Sequence, residues 1–152
     1  MKCAYAHCKH ENKEIIDGEE YVVAGRYKYH KDCNQEREKI NEIITIFIEQ
    51  VNPNIVVNIL RRTINNLIDD SFEVDYILFA IKYAVNHPEM KLTYPQGLYR
   101  ICKDINVLNG WQNLKVNHLL KDKKVEIKNE LIRKEFAISD TIIKKKNVSD
   151  LF

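Results

Sequence analysis

The chain has 152 residues, of which 45% are hydrophobic and 30% are charged, and its formal net charge is +2. These values are typical of a folded globular protein and exclude a disordered chain. No apolar run approaches the roughly 18 residues that a membrane helix needs, and from the Met1-Lys2-Cys3 start we expect no signal peptide.

The first predicted element is a metal site near the N-terminus. Cys3 and Cys8 form a C-x4-C pair, and His30 and Cys33 follow as H-x2-C after 21 intervening residues. Three thiols and one imidazole suit a closed tetrahedral Zn²⁺ site, which is the structural kind because no coordination position stays open. We therefore expect one structural zinc ion per chain. His7 and His10 are alternative ligands, because either could replace a cysteine within the wide C-x4-C loop.

The segment between the two ligand pairs predicts a β-hairpin. Two runs of strand-forming residues, 19–24 and 26–29, flank Gly25, so a tight turn would return His30 to the first cysteines. A helix should begin at Cys33. Knuckle, hairpin and helix in this order resemble a treble-clef zinc finger, and the Gly-Arg-Tyr-Lys-Tyr-His-x-x-Cys stretch resembles the end of a LIM-type half-site. The resemblance implies a zinc-binding finger over residues 1–36.

After the finger, apolar residues recur at the spacing of α-helices, and polar residues and prolines mark where one predicted helix ends and the next begins. Asn52-Pro53 should stop the first helix and start the second, with Asn52 as N-cap and Pro53 at the first helical position. Asp70-x-x-Glu73 matches a capping box for the third helix, which His87-Pro88 ends. A short helix around Cys102 should bury that thiol as a small apolar group.

Asn109-Gly110 is expected to be a turn, and the charged stretch beyond Trp111 to form one or two helices. Trp111 itself is expected to cover the core, or else to stack on a base. The predicted fold is mostly α, with the small N-terminal finger joined to an all-α helical bundle over 37–143. Residues 144–152 are expected to form a flexible tail.

Residues 72–101 resemble the C-terminal helical domain of DnaD-type replication proteins. The resemblance runs from Phe72-Glu73-Val74-Asp75-Tyr76-Ile77 to Ala84 and resumes at Tyr94-x-x-x-Leu98-x-x-Ile101, although the tryptophan of that motif has no counterpart here. The family joins helicase loading to DNA binding, so the resemblance implies a role in DNA replication.

Positive charge concentrates in the C-terminal third of the chain. Because phosphate binding follows local charge density, we expect any DNA contact there. The alternative is an ordinary solvated helix face stabilised by charge pairs. The candidate DNA-binding residues are Lys121, Lys123, Lys124, Lys128, Arg133 and Lys134.

The chain ends on Val148-Ser149-Asp150-Leu151-Phe152. This segment is similar to the peptide with which many bacterial polymerases and repair proteins enter the pocket of the sliding clamp. The resemblance implies that Asp150, Leu151 and Phe152 bind a partner such as the clamp. The alternative is that the two apolar residues pack on the protein's own core.

The sequence contains no Gly-rich phosphate loop, no nucleophile elbow and no H-E-x-x-H motif, so we expect no enzymatic activity. Abundant Ile, Asn and Lys favour an AT-rich bacterial or phage source, and we expect a cytoplasmic protein of a bacterial or phage-infected cell. Together these features predict a zinc-binding accessory protein of DNA replication or repair, which binds DNA weakly and a replisome protein through its tail. The alternative is a protein-binding adaptor or inhibitor that does not bind DNA.

Overall fold

The computed structural model describes the backbone of residues 1–149 and the side chains of residues 1–135. Within that range the protein is mostly α-helical with a small N-terminal β-hairpin, which confirms the predicted fold class. The elements are β1 (Tyr21–Ala24), β2 (Tyr27–His30), α1 (Lys31–Ile46), α2 (Val57–Asp69), α3 (Val74–Asn86), α4 (Gly97–Lys103) and α5 (Ile105–Ser149).

The predicted hairpin is present, and its turn contains two residues, Gly25 and Arg26. β1 and β2 pair antiparallel, with Tyr21 opposite His30 and Ala24 opposite Tyr27. Gly25 has φ 63°, and it lies at the first central position of the turn, where a type II′ hairpin requires a residue that tolerates positive φ. β2 thus ends at His30, directly before the first residue of α1.

The core lies among α1 to α4, where α1 packs on α3 and α3 packs on α4. The predicted burial of Cys102 is confirmed, and the hydroxyl of Tyr76 donates a hydrogen bond of 2.6 Å to its carbonyl oxygen. Burial raises the pKa of Cys102 to about 12, so this thiol stays neutral. The other large side chains of these helices and their flanks that are fully buried are Ile43, Phe47, Leu60, Ile64, Leu67, Ile77, Ile81, Leu98, Ile101 and Val107.

Residues Met1–Asn109 form one compact unit, and a second unit begins at Gly110. The first contains the hairpin and α1 to α4, and the second contains most of α5. Among the helices that the structure describes, none has the length and apolar character required to cross a membrane.

Two predicted helix starts are wrong. The chain does turn at Asn52-Pro53, but α2 begins at Val57, because the Asn52 side-chain oxygen accepts a hydrogen bond from the amide of Asn54 (3.0 Å) instead of capping a helix. Likewise, α3 begins at Val74 with no side-chain cap, whereas Asp70 is the C-cap residue of α2.

The predicted turn at Asn109-Gly110 is also wrong, because α5 runs through both residues. Gly in a helix interior costs only about 1 kcal/mol relative to Ala. Ending a helix would instead leave four carbonyl groups without intrahelical partners. One long helix therefore replaces the turn and the helix or helices expected after it.

Candidate metal centre

The candidate metal centre joins three segments of the N-terminal unit. Cys3 and Cys8 lie in the segment before β1, His30 ends β2, and Cys33 lies in the first turn of α1. Backbone hydrogen bonds hold the first segment in place: the amide of Cys3 donates to the carbonyl of Lys13 (2.7 Å), and the next amide donates to a carbonyl of β2 (2.9 Å). The segment that contains Cys3 and Cys8 is thereby fixed against the strand that carries His30.

The four donor groups converge. One ligand atom from each of Cys3, Cys8, His30 and Cys33 lies within 4.8 Å of all the others. The Nδ1 atom of His30 is 3.5 Å from the sulfur of Cys8 and 3.8 Å from that of Cys33. In a tetrahedral zinc site with Zn–S of about 2.3 Å and Zn–N of about 2.0–2.1 Å, sulfur and nitrogen are about 3.6 Å apart. The group is therefore close enough to hold a metal ion, and its dimensions are compatible with zinc.

A backbone carbonyl group outside the cluster orients the ring of His30. Its Nε2 atom lies 3.0 Å from the carbonyl oxygen of Glu14, which can only accept, so Nε2 carries the proton and Nδ1 presents its lone pair to the thiols. Burial lowers the pKa of His30, but the hydrogen bonds to Glu14 and Cys3 outweigh it and leave the pKa above its ordinary value. The carboxylate of Glu19, 3.7 Å from Nε2, adds to the same effect.

The thiols do not ionise equally. Burial raises the pKa of Cys33, and the hydrogen bond to Cys8 and the negative charge of Cys3 raise it further. Burial also raises the pKa of Cys3, yet hydrogen bonds with the backbone of Tyr5 and His30 outweigh it and leave the pKa below its ordinary value. Neighbouring thiolates repel one another, so they ionise together only when a cation neutralises them. The N-terminus of α1 contributes a further positive potential at Cys33.

His7 is held away from the cluster by α2. Its Nε2 atom is 3.2 Å from the side-chain oxygen of Asn65, and its Nδ1 atom is 3.4 Å from the carboxylate of Asp69. Both ring nitrogens therefore face groups of α2, and His7 is not among the four convergent donors.

His10 lies beside the cluster. Its ring stacks on that of His30, with centroids 3.7 Å apart, and its Nε2 atom is 3.0 Å from the carboxylate of Asp32. His10, Asp32 and Cys33 also lie close enough together to hold a metal ion, but this group shares Cys33 with the first. His10 is thus a neighbour of the four-donor group. The sequence analysis named it as an alternative ligand because it follows the wide C-x4-C loop.

The six candidate DNA-binding residues are all exposed on α5, but they do not share one side. Successive helical residues are turned by about 100°. Lys121, Lys124 and Lys128 therefore lie along one side, Lys123 and Lys134 lie together on another, and Arg133 lies apart from both sets. Trp111 is half-buried, and the ammonium group of Lys115 lies 5.1 Å from the centre of its ring.

The candidate partner-binding residues Asp150, Leu151 and Phe152 lie outside the residues that the structure describes. Sequence reasoning missed two features of the candidate sites. One is the carbonyl group of Glu14 that orients His30, which cannot be recognised in a sequence because every residue has a backbone carbonyl. The other is the row of exposed apolar side chains on α5, which is visible once the whole segment is known to be one helix.

No family model matches the chain, and no curated protein or solved structure matches it either.

Proposed function

We propose that the protein is a zinc-binding, non-enzymatic accessory protein of bacterial or phage DNA replication or repair, which acts by binding other macromolecules. The observation that carries this proposal is the convergence of Cys3, Cys8, His30 and Cys33 within 4.8 Å. Four protein donors complete a tetrahedral shell and leave no position for a substrate or a reactive water, which is typical of structural zinc. Zinc would neutralise the thiolates and tie the knuckle to the hairpin and to α1.

DNA is the first candidate ligand, and the exposed row of Lys121, Lys124 and Lys128 on α5 supports it. Three phosphate contacts on duplex DNA give a slope of roughly −2.7 for the logarithm of the binding constant against the logarithm of salt concentration. Binding of this kind is weak and tolerant of sequence. It would hold the protein near DNA while other surfaces contact a replication protein.

The experiment is a titration of labelled duplex DNA by fluorescence anisotropy at several salt concentrations. We expect replacement of Lys121, Lys124 and Lys128 by Glu to abolish binding without changing the melting temperature, because all three are exposed. The matched control makes the same charge change in the N-terminal unit, at Lys9, Lys91 and Lys103, which are also exposed. Binding that survives the first change, or that is lost equally in both, would contradict the assignment.

A protein-binding adaptor that does not bind DNA is the second candidate. The acidic residues Glu126 and Glu130 interrupt the positive charge of α5, and large apolar side chains between Leu114 and Ile132 are 39–61% exposed. Exposed apolar surface is characteristic of protein interfaces, whereas phosphate contacts do not need it. No DNA binding at low salt, combined with one zinc per chain, would favour this candidate.

A further inference from the structure

The sequence of α5 repeats every eleven residues. Each repeat has an apolar residue, a second apolar residue four positions later and a lysine three positions after that. An 11-residue repeat is typical of helices that wind around one another. The three repeats are Val116, Leu120 and Lys123, then Ile127, Leu131 and Lys134, then Ile138, Ile142 and Lys145.

These positions share one side of the helix, which we call the repeat face. Eleven residues make three turns at about 3.67 residues per turn, close to the 3.6 of an α-helix, so the repeat face follows the helix axis over about 40 Å. Its apolar members in the part of α5 with described side chains are exposed: Val116 51%, Leu120 51%, Ile127 58% and Leu131 57%. Apolar residues that recur along one side of a helix of this length are typical of a coiled-coil surface.

The two flanks of the repeat face carry opposite net charge. The acidic flank contains Asp122, Glu126 and Glu130 together with Lys115 and Arg133, and the basic flank contains Lys121, Lys124 and Lys128 together with Glu135. When two copies of such a helix pair in parallel, each acidic flank meets the basic flank of the partner. An antiparallel pair would instead place acidic beside acidic and basic beside basic. The charge pattern therefore fits a second copy of the same helix in parallel orientation.

We propose that the repeat face of α5 binds the repeat face of a second copy, in a parallel and in-register pair of helices. This interface goes beyond the proposed function and engages the same lysine row that would contact DNA. Lys123 and Lys134 lie within the face, where their aliphatic stems pack and their ammonium groups reach its rim. Lysine at such positions restricts register and oligomeric state and weakens association, so the pairing depends on protein concentration.

The test is sedimentation equilibrium of the full-length, metal-loaded protein from micromolar to millimolar concentration, without DNA or any partner. We expect the mass to rise from 18.0 kDa towards twice that value. Replacing Leu120 and Leu131 by Asp should hold the mass at 18.0 kDa at every concentration. The matched control places the same charges on the opposite side of the helix, at Leu114 and Val125, and should associate like the unchanged chain.

Both double variants change exposed residues only, so zinc content and circular dichroism should stay as in the unchanged protein. An unchanged chain that stays at 18.0 kDa, or a control that dissociates while the repeat-face variant associates, would overturn the proposal. Because DNA is absent, failure of this interface is distinguishable from failure of DNA binding.

Two further variants test the details of the interface. Replacing Lys123 and Lys134 by Leu should strengthen association at least about tenfold, because it removes two charges from an apolar contact. A Val116→Cys substitution should give a disulfide-linked dimer under mild oxidation, because a parallel pair places position 116 beside its counterpart. A dimer that does not cross-link at this position would overturn the parallel arrangement.

Discussion

Replacing Cys33 by serine is the most direct perturbation of the metal centre. The side chain is 4% exposed in the first turn of α1, and its sulfur is 3.8 Å from Nδ1 of His30. A structural zinc site contributes about 10–16 kcal/mol in zinc-finger peptides, or about 2.5–4 kcal/mol for each of four ligands. Loss of one ligand should therefore weaken zinc binding roughly 100- to 1000-fold.

A bound zinc ion would contribute more than any single apolar contact in residues 1–36. The buried apolar side chains before α1, apart from the cysteine ligands, are Tyr5, Ile15 and Tyr29. Each contributes about 1.5–3 kcal/mol on burial, less than the zinc site. We therefore expect the Cys33→Ser protein to lose structure before α1, whereas the core of α1 to α4 keeps most of its helical signal.

Three measurements check this expectation: zinc per chain by native mass spectrometry, cleavage before residue 31 in limited proteolysis, and helical content by circular dichroism. The matched control is Cys102→Ala, which changes a buried thiol of the helical core and should keep one zinc per chain. Full zinc content in the Cys33→Ser protein, or proteolysis no faster than in the control, would refute the reasoning.

Other predictions address pH, the helical core and the chain end. When the pH is lowered, zinc affinity should fall about tenfold per pH unit for each proton released on binding. The reason is that burial raises the pKa of Cys33, and this thiol must lose its proton to bind zinc. Calorimetry at several pH values measures the affinity. Affinity that does not change between pH 6 and pH 8 would contradict thiolate ligation. Tyr76→Phe should lower the free energy of unfolding by about 1–3 kcal/mol in denaturant titration, because the buried carbonyl of Cys102 loses its donor; an unchanged value would show that the bond is dispensable. Leu151→Ala with Phe152→Ala should abolish binding to the sliding clamp in a pull-down and leave the melting temperature unchanged, whereas a fall of several degrees would indicate packing on the protein's own core.

The close approach of Cys3, Cys8, His30 and Cys33 could be predicted from the sequence, because cysteine and histidine at this spacing have few uses other than metal binding in so short a segment. The hairpin was predictable for a similar local reason, since Gly25 supplies the positive φ that its turn requires. The orientation of His30 was not, because it depends on the carbonyl of Glu14, and every residue carries such a group. Residue types and spacing therefore predict which side chains could bind a metal, whereas the groups that orient these side chains depend on the tertiary structure.

The wrong helix boundaries have a shared cause. Asn52 and Asp70 are good capping residues, but the Asn52 side chain bonds within its own turn and Asp70 is the C-cap residue of the preceding helix. At Asn109-Gly110, a dipeptide with strong turn preference lies within a helix instead. In each case a preference of about 1 kcal/mol for a cap or a turn was too small to decide where the helix begins or ends.

The repeat in α5 was hidden by a second set of apolar residues. Leu114, Val125 and Ile132 lie opposite the repeat face, so the helix is apolar on two sides and has no single apolar stripe. Positions eleven apart share one side only when residues 116–145 are treated as one continuous helix. The sequence prediction left open whether this stretch forms one helix or two.

α1 belongs to two structures at once. Its first turn carries Cys33, and about three turns later Ile43 is fully buried in the helical core, as is Phe47 directly after the end of α1. If the centre binds zinc, metal binding and core folding depend on the same helix, and by thermodynamic linkage each would raise the stability of the other. A cavity made at Ile43, more than 10 Å along the helix from the sulfur of Cys33, would lower the affinity for zinc without touching a ligand. Conversely, a cell that supplies zinc would protect this core against mutations that the metal-free chain could not tolerate.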